Sequence, residues 1–348
     1  MQTGQEYCLS EYIKKLMRED NLCAEEVKKI FEIMVSGKSE PVQVASLLTL
    51  LYKKGESADE IFGFAKSMFD HALKIYPHTK EPAVDTCGTG GDALNTINIS
   101  TASAFVLAAA GIPVAKHGNR SVTSRCGSAD LLESLGINIG LTPEKVCESI
   151  EKINIGFMFA PAYHPAMKHI APIRRNLPFR TVFNLLGPLV NPAGVKRQIT
   201  GVFHPNLITP MITALKKLGS SKAFVFSGET GTPGTYIDEV SPLGKTYFAK
   251  LEEGEITRFE FDSRELGMKR FSLADLQGST SQENARVIEN IFRNRISSPI
   301  ADVIKLNSAA GLFLCGKSES IEAGFKYAHE IIQSGKPAQV LDRWRDFA

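Results

Sequence analysis

The sequence predicts an α/β chain in two parts: a small all-helical N-terminal domain, then a larger α/β domain with a central, mostly parallel sheet flanked by helices. Three observations carry this expectation. Apolar residues recur at helical spacing over positions 1–75, with no strand signal before Pro82. From about residue 82, short β-rich runs alternate with helical patterns, the grammar of βα units. Finally, 348 residues exceed one average domain and are enough for two unequal ones.

Taken in order, helices are expected at 9–17 and 24–35. In the second, Val27, Ile30, Phe31 and Met34 share one face, with Lys28, Lys29 and Glu32 outward. Gly37 ends it. Ser39 and Pro41 start the next helix, in which Ala45, Leu48 and Leu51 align. Ser57-Ala58-Asp59-Glu60 is a capping box opening a fourth helix through Ile61, Ala65 and Met68. Strands are expected at Ala83–Cys87, Ile112–Lys116, Gly156–Phe159, Gln198–Phe203, Ala223–Ser227, Ile237–Ser241 and Lys245–Leu251. Helices at 102–110, 129–135, 143–152, 207–218 and 282–292 fall among them, with a last pair near 299–314 and 318–334. A basic helical segment, 164–186, interrupts the alternation. The expected division is 1–75, joined by that segment, and 76–348.

The most informative stretch is DTCGTGGDALNTINIST, residues 85–101. Gly88, Gly90 and Gly91 allow positive φ and bring backbone N–H groups close to a ligand. Asn95, Thr96, Asn98, Ser100 and Thr101 are expected to cap the helix that follows. A glycine turn feeding a helix N-terminus forms an anion site. The spacing is neither that of a dinucleotide fingerprint nor that of a Walker loop. A second cluster, KHGNRSVTSRCGS at 116–128, supplies Lys116, Arg120 and Arg125 as cations. Asn119, Ser121, Thr123, Ser124 and Ser128 add hydrogen-bonding groups. Two such loops after consecutive βα units suit a polyanionic sugar phosphate.

Composition removes other classes. With 43% hydrophobic and 22% charged residues the chain can bury a large core. A net charge of +2 gives no general attraction to nucleic acid or an anionic membrane. The longest apolar stretches, Ala102–Ala115 and Val44–Leu51, fall short of a membrane span. The first thirty residues lack a signal-peptide apolar core. Six dispersed cysteines without a C-x-x-C pair read as reduced thiols, with Cys87 and Cys126 as packing residues. His164 and His169, five apart, lack the spacing of a helical metal pair. The expected location is cytoplasmic.

Together, GTGGD…NIST, KHGNRSVTS, GS-DLLE, HPAMKHIAPIRR, FNLLGPLVNPA, the Asp-Glu pair at 238–239 and LNSAAGLFL resemble the anthranilate phosphoribosyltransferase family of tryptophan biosynthesis. The resemblance covers nearly the whole chain. It implies transfer of a phosphoribosyl group from 5-phosphoribosyl pyrophosphate (PRPP) to the amine of anthranilate. It also implies magnesium, with two ions expected, packing of 164–186 onto the N-terminal domain, and a homodimer through that domain.

Residue by residue, the resemblance assigns PRPP to Gly88, Gly91, Asp92, Thr96, Asn98, Ile99, Ser100 and Thr101. From the second loop it adds Lys116, His117, Gly118, Asn119, Arg120, Ser121, Val122, Thr123 and Ser124, followed by Ser128. Anthranilate falls to Gly88, Asn119 and Arg174, whose planar guanidinium matches a carboxylate. Ser100, Asp238 and Glu239 are the implied metal ligands. Catalysis is expected to be electrostatic and positional, through Lys116, Asn119 and Arg174, without a dedicated base. Two departures stand out: Ala93 replaces a usual glycine after GTGGD, and the loop 228–236 before Asp238 is longer than usual. The rival readings are a pyrimidine nucleoside phosphorylase of related architecture, a non-catalytic nucleic-acid-binding paralogue, and a purely structural helical protein, which leaves the loops unexplained.

Overall fold

The computed structural model describes residues 8–121, 125–268 and 271–347. Four helices come first: α1 (Ser10–Met17), α2 (Ala24–Val35), α3 (Pro41–Lys54) and α4 (Ala58–Asp70). The capping box forms: Ser57 Oγ accepts from Glu60 N at 3.2 Å, and Glu60 Oε2 accepts from Ser57 N at 2.8 Å. Glu60 is fully buried yet satisfied, because Leu22 N and Lys54 Nζ also donate to it.

The α/β part runs β1 (Val84–Asp85), α5 (Ile99–Ala109), β2 (Val114–Gly118), α6 (Ser128–Ser134), α7 (Pro143–Ile153) and β3 (Ile155–Phe159). Short helices α8 (Ala160–Tyr163), α9 (Ala171–Arg175) and α10 (Phe183–Leu186) follow. Then come β4 (Arg197–Gly201), α11 (Ile208–Lys217), β5 (Lys222–Glu229), β6 (Tyr236–Ile237), β7 (Lys245–Glu252) and β8 (Glu255–Asp262). The chain closes with α12 (Ser281–Phe292), α13 (Pro299–Leu314), α14 (Ile321–Gln333) and α15 (Lys336–Arg345).

The strands form one sheet in the order β3-β2-β1-β4-β5-β7-β8. It is parallel from β3 to β5 and antiparallel beyond, with β6 paired to β5. Side chains of β5 alternate between two cores. Phe224 and Phe226 join α5, α6 and α12–α15 on one face. Ala223 and Val225 join α11 and the N-terminal helices on the other. Ile170, Val182, Phe183, Leu185 and Leu186, from the 164–186 segment, lie in that second core.

Some boundaries differ from expectation for identifiable reasons. Helix α5 begins at Ile99 rather than 102, and the strand expected at Ile237–Ser241 ends at Ile237. Beyond Ile237 the backbone leaves the ladder, and the Asn307 side chain takes over both polar groups of Val240. Strand β8 was not expected from sequence. It is the second arm of a hairpin whose turn residues Glu253 (φ 50°) and Gly254 (φ 80°) are both left-handed. Helix α15 was also unexpected; Trp344 and Leu341 bury it in the first core.

Candidate active site

The parallel strands β1, β2 and β4 end at one edge of the sheet, and the first loop rises from β1. Gly90 (φ 63°), Gly91 (φ 89°), Ala93 (φ 62°) and Asn95 (φ 53°) coil it into a compact turn. Ala93 adopts the left-handed region that glycine would enter freely, at a cost to alanine of about 1 kcal/mol. Thr89 N donates to Gly201 O at 2.9 Å, tying the loop to the end of β4. At its far end Gly278 N donates to Asn95 O, and Thr96 bridges Gln277. Asn98 occupies the N-cap position of α5 but makes no side-chain cap; its Nδ2 donates to Cys126 O at 3.0 Å, linking the two loops. Ile99 is wholly buried in the core, so any ligand contact from it is through its backbone.

Asp238 and Glu239 sit just past β6, packed against glycine backbone. A Cβ on Gly201 would lie 1.7 Å from Asp238 O, and one on Gly88 would lie 3.2 Å from Asp238 Oδ2. One on Gly228 would meet Glu239 O at 2.7 Å. The two carboxylates aim at separate points. Asp238 faces Gly88, Gly90 and Asp92, whereas Glu239 Oε1 accepts from Ser100 N at 3.2 Å. Burial, then the charge of Asp92, raises Asp238 well above the usual carboxylate range. Burial likewise pushes Glu239 up to about 8, against the pull of Lys116. Asp92 Oδ1 accepts from Leu94 N, but its buried Oδ2 has no partner. Thr86, Ser103, Ile199, Phe226 and Asn307 complete the cleft floor beneath the acidic pair.

This arrangement fits a magnesium–pyrophosphate group. Three carboxylates repel one another where one oxygen is orphaned, and a cation would relieve both penalties. Among the described residues no three His, Cys, Asp or Glu side chains converge on a single metal point. A sparse protein ligand set suits magnesium that keeps waters and phosphate oxygens.

The second loop leaves β2. Lys116 is 1% exposed and points inward, its Nζ 3.2 Å from Thr86 Oγ1. His117 Nδ1 lies 2.9 Å from Gly187 O and its Nε2 lies 3.1 Å from His164 Nε2. The carbonyl can only accept, so Nδ1 of His117 donates and His164 supplies the proton between the rings. A Cβ on Gly118 would meet Phe157 at 2.9 Å. Asn119 Oδ1 accepts from Arg120 N, and the Arg120 guanidinium pairs with Asp130 and Glu133. Ser121 N donates to Asp130. Thr101 Oγ1 donates to Ser128 Oγ at 3.2 Å, joining the starts of α5 and α6. Val122, Thr123 and Ser124 lie outside the described residues.

Arg174 on α9 is partly buried. Its Nη2 donates to Asn184 Oδ1 at 3.3 Å, its guanidinium lies over the Phe183 ring, and burial lowers its pKa to about 10. No ion pair joins it to a carboxylate among the described residues. Burial pushes the Cys87 thiol up, and Cys126 up to about 11, which makes both inert packing groups.

Sequence reading missed three contributors. Asp85, wholly buried beneath the loops, accepts from Asn191 Nδ2 at 2.8 Å and His117 N at 3.3 Å. Its signal was a carboxylate ending an apolar strand. Arg180 stacks on Phe203 with its guanidinium about 3.1–3.5 Å from where a Gly91 Cβ would be. Asn307 left no signal beyond being a polar residue in an apolar helix.

Residues 80–338 match the glycosyl transferase family α/β domain and residues 10–72 its helical bundle domain. Anthranilate phosphoribosyltransferase of Petrotoga mobilis is 45% identical over 336 residues, covering 97% of this chain and 96% of that protein. The chain belongs to the anthranilate phosphoribosyltransferase family. The family's structure from Thermus thermophilus superposes with a TM-score of 0.86 at 38% identity, covering 96% of this chain and 98% of that one. The Saccharomyces cerevisiae family member in complex with PRPP and Mg superposes at 0.87, with 28% identity and 97% of each chain covered. The same yeast protein is also known with 4-fluoroanthranilate, at 0.87 and 27% identity over 98% of each chain.

Proposed function

We propose that this chain transfers the 5-phosphoribosyl group of PRPP to the amine of anthranilate, releasing pyrophosphate and forming N-(5-phosphoribosyl)anthranilate. The observation that carries the reading is the Asp238–Glu239 pair seated against the first loop and the N-terminus of α5. There the glycine loop, the helix start and the carboxylates face one space.

The C–O bond to pyrophosphate breaks with its electron pair leaving on oxygen, and the ribose passes through an oxocarbenium-like state. The arylamine nitrogen, already nucleophilic, bonds to the anomeric carbon and loses a proton. Alignment and leaving-group stabilisation supply most of the acceleration. Magnesium, when bound, neutralises charge on the departing pyrophosphate; Ser100, Asp238 and Glu239 would hold it, with two ions proposed. Gly88, Gly91, Asp92, Thr96 and Asn98–Thr101 would cradle PRPP from the first loop. Lys116–Ser124 and Ser128 would cover it from the second. Gly88, Asn119 and Arg174 would place anthranilate.

A cytoplasmic homodimer completes the proposal. Among the described residues no helix is long and apolar enough to cross a membrane. The exposed large apolar residues of the helical bundle, among those described, are Met17 on α1 and Val42 and Tyr52 on α3. Incubation with anthranilate, PRPP and magnesium should extinguish anthranilate fluorescence. No turnover, with phosphorolysis of uridine or thymidine instead, would replace this reading with a nucleoside phosphorylase.

A further inference from the structure

Asn307 is the group that holds the acidic pair where it is. It lies on α13, in the last eighth of the chain, and is 5% exposed. Its Oδ1 accepts from Val240 N at 2.8 Å. Its Nδ2 donates to Val240 O at 3.2 Å and to Val303 O at 3.0 Å. One amide therefore satisfies both backbone groups of the residue that follows Glu239. It acts as a ladder rung at the point where the chain has left the sheet. Only an amide presents an acceptor and two donors from one planar end.

The same helix also registers the opposite wall of the cleft. Ser103 Oγ on α5 reaches Ile304 O on α13 at 3.4 Å. At Gly311 the two helices approach so closely that a Cβ would lie 2.8 Å from Leu107. Helix α13 thus contacts both the segment bearing Asp238 and Glu239 and the helix whose first turn bears Ser100. Through it the two walls are held in register at the cleft floor, where Ser103 and Asn307 lie beneath the acidic pair.

We infer that Asn307 is a positioning residue for magnesium binding: it sets the Asp238–Glu239 carboxylates at the distance from Ser100 that a magnesium–pyrophosphate group requires. The inference rests on the assignment of Asp238 and Glu239 as metal ligands. It predicts a specific defect. Asn307→Asp keeps an acceptor for Val240 N but turns a second oxygen on two carbonyls and adds charge beside three acids. Asn307→Leu keeps the volume and leaves both Val240 groups unpaired.

The test is Mn2+ binding, followed by electron paramagnetic resonance on the full-length protein with PRPP and no acceptor, beside steady-state kinetics and thermal melts. Both variants should bind Mn2+ about 10- to 100-fold more weakly, the cost of losing an outer support of a metal site. The magnesium concentration for half-maximal rate should rise in parallel, while the KM for anthranilate stays within about twofold of wild type. Asn307→Asp in a Glu239→Gln background should cost less than in the wild type, because part of its effect runs through Glu239 and the rest through Asp238. Should Asn307→Leu fail to fold, Asn307→Asp decides. A folded variant with wild-type Mn2+ affinity overturns the inference. A wild-type protein that binds no Mn2+ with PRPP overturns the metal-ligand assignment beneath it.

Discussion

The backbone N–H of Ser100 donates to Glu239 Oε1 at 3.2 Å, across 139 positions of sequence. A carboxylate therefore stands at the N-terminus of α5, the place where the helix dipole and free N–H groups favour an anion. This contact joins the glycine loop, the helix start and the acidic pair into one unit. It also places Glu239 beside the space in which a phosphate would arrive.

Replacing the acids with amides separates their charge from their shape. Glu239→Gln can still accept from Ser100 N, so the fold should survive. The magnesium concentration giving half-maximal rate should rise at least ~10- to 100-fold, and Asp238→Asn should behave alike. A magnesium titration of the initial rate checks this. Unchanged magnesium dependence would place the ions elsewhere.

Arg174 offers a guanidinium with no carboxylate partner among the described residues, packed over Phe183 and held by Asn184. Arg174→Ala should raise the KM for anthranilate about 10- to 100-fold, the value of one charge-assisted hydrogen bond. The KM for PRPP should move little. Arg174→Lys should recover only part of the loss, since an ammonium cannot pair with both carboxylate oxygens in one plane. An acceptor KM unaltered by Arg174→Ala would remove the assigned role.

Acid should unfold the protein partly through its paired histidines. Burial, then the neighbouring His117, lowers His164 to about 3, below the 6.5 of a free imidazole. The ring is thus neutral in the fold but protonates in the unfolded chain. Stability from the neutral ring is complete above pH 6.5 and is lost as pH falls from 6.5 toward 3. Each pH unit in that window costs at most about 1.4 kcal/mol for this one ring. His164→Asn retains a donor for His117 Nε2 and removes the titration. Urea unfolding at pH 7 and pH 5 should show a smaller difference for the variant; equal differences would exclude His164 as a source of acid sensitivity.

What the sequence disclosed depended on whether the signal was local. Helix α4 was legible because Ser57 and Glu60 cap each other within one turn. The first loop was legible because glycine, in DTCGTGGD, reports backbone conformation directly. Ala93 shows the limit of that logic, since a non-glycine residue carries the same left-handed backbone. The inward direction of Lys116 was illegible, because a lysine in a basic loop reads as a solvent-facing cation. Its partner, Thr86, lies 30 positions earlier, just past the end of β1. Strand β6 was drawn too long because Val240 continues the apolar pattern, although its backbone is satisfied by Asn307, 67 positions away. Long-range polar contacts leave no periodicity, so the support of the site was hidden where its surface was not.

Gly201 and Gly88 both press on Asp238, but with different consequences. A Cβ on Gly201 would overlap the Asp238 carbonyl at 1.7 Å, a backbone atom held between β4 and the acidic segment. Neither partner can rotate away, so Gly201→Ala should force the strands apart. The cost should match or exceed the ~1–3 kcal/mol typical of overpacking, with magnesium activation lost as well. A Cβ on Gly88 would meet the Asp238 Oδ2 carboxyl oxygen at 3.2 Å and Gly201 O at 3.3 Å. A side-chain oxygen can shift by a few tenths of an ångström. Gly88→Ala should therefore weaken PRPP and magnesium binding while the melting temperature stays near that of the wild type. Thermal melts with and without magnesium and PRPP distinguish the two. Equal destabilisation by both substitutions would show that Asp238 is not seated between these glycines in solution.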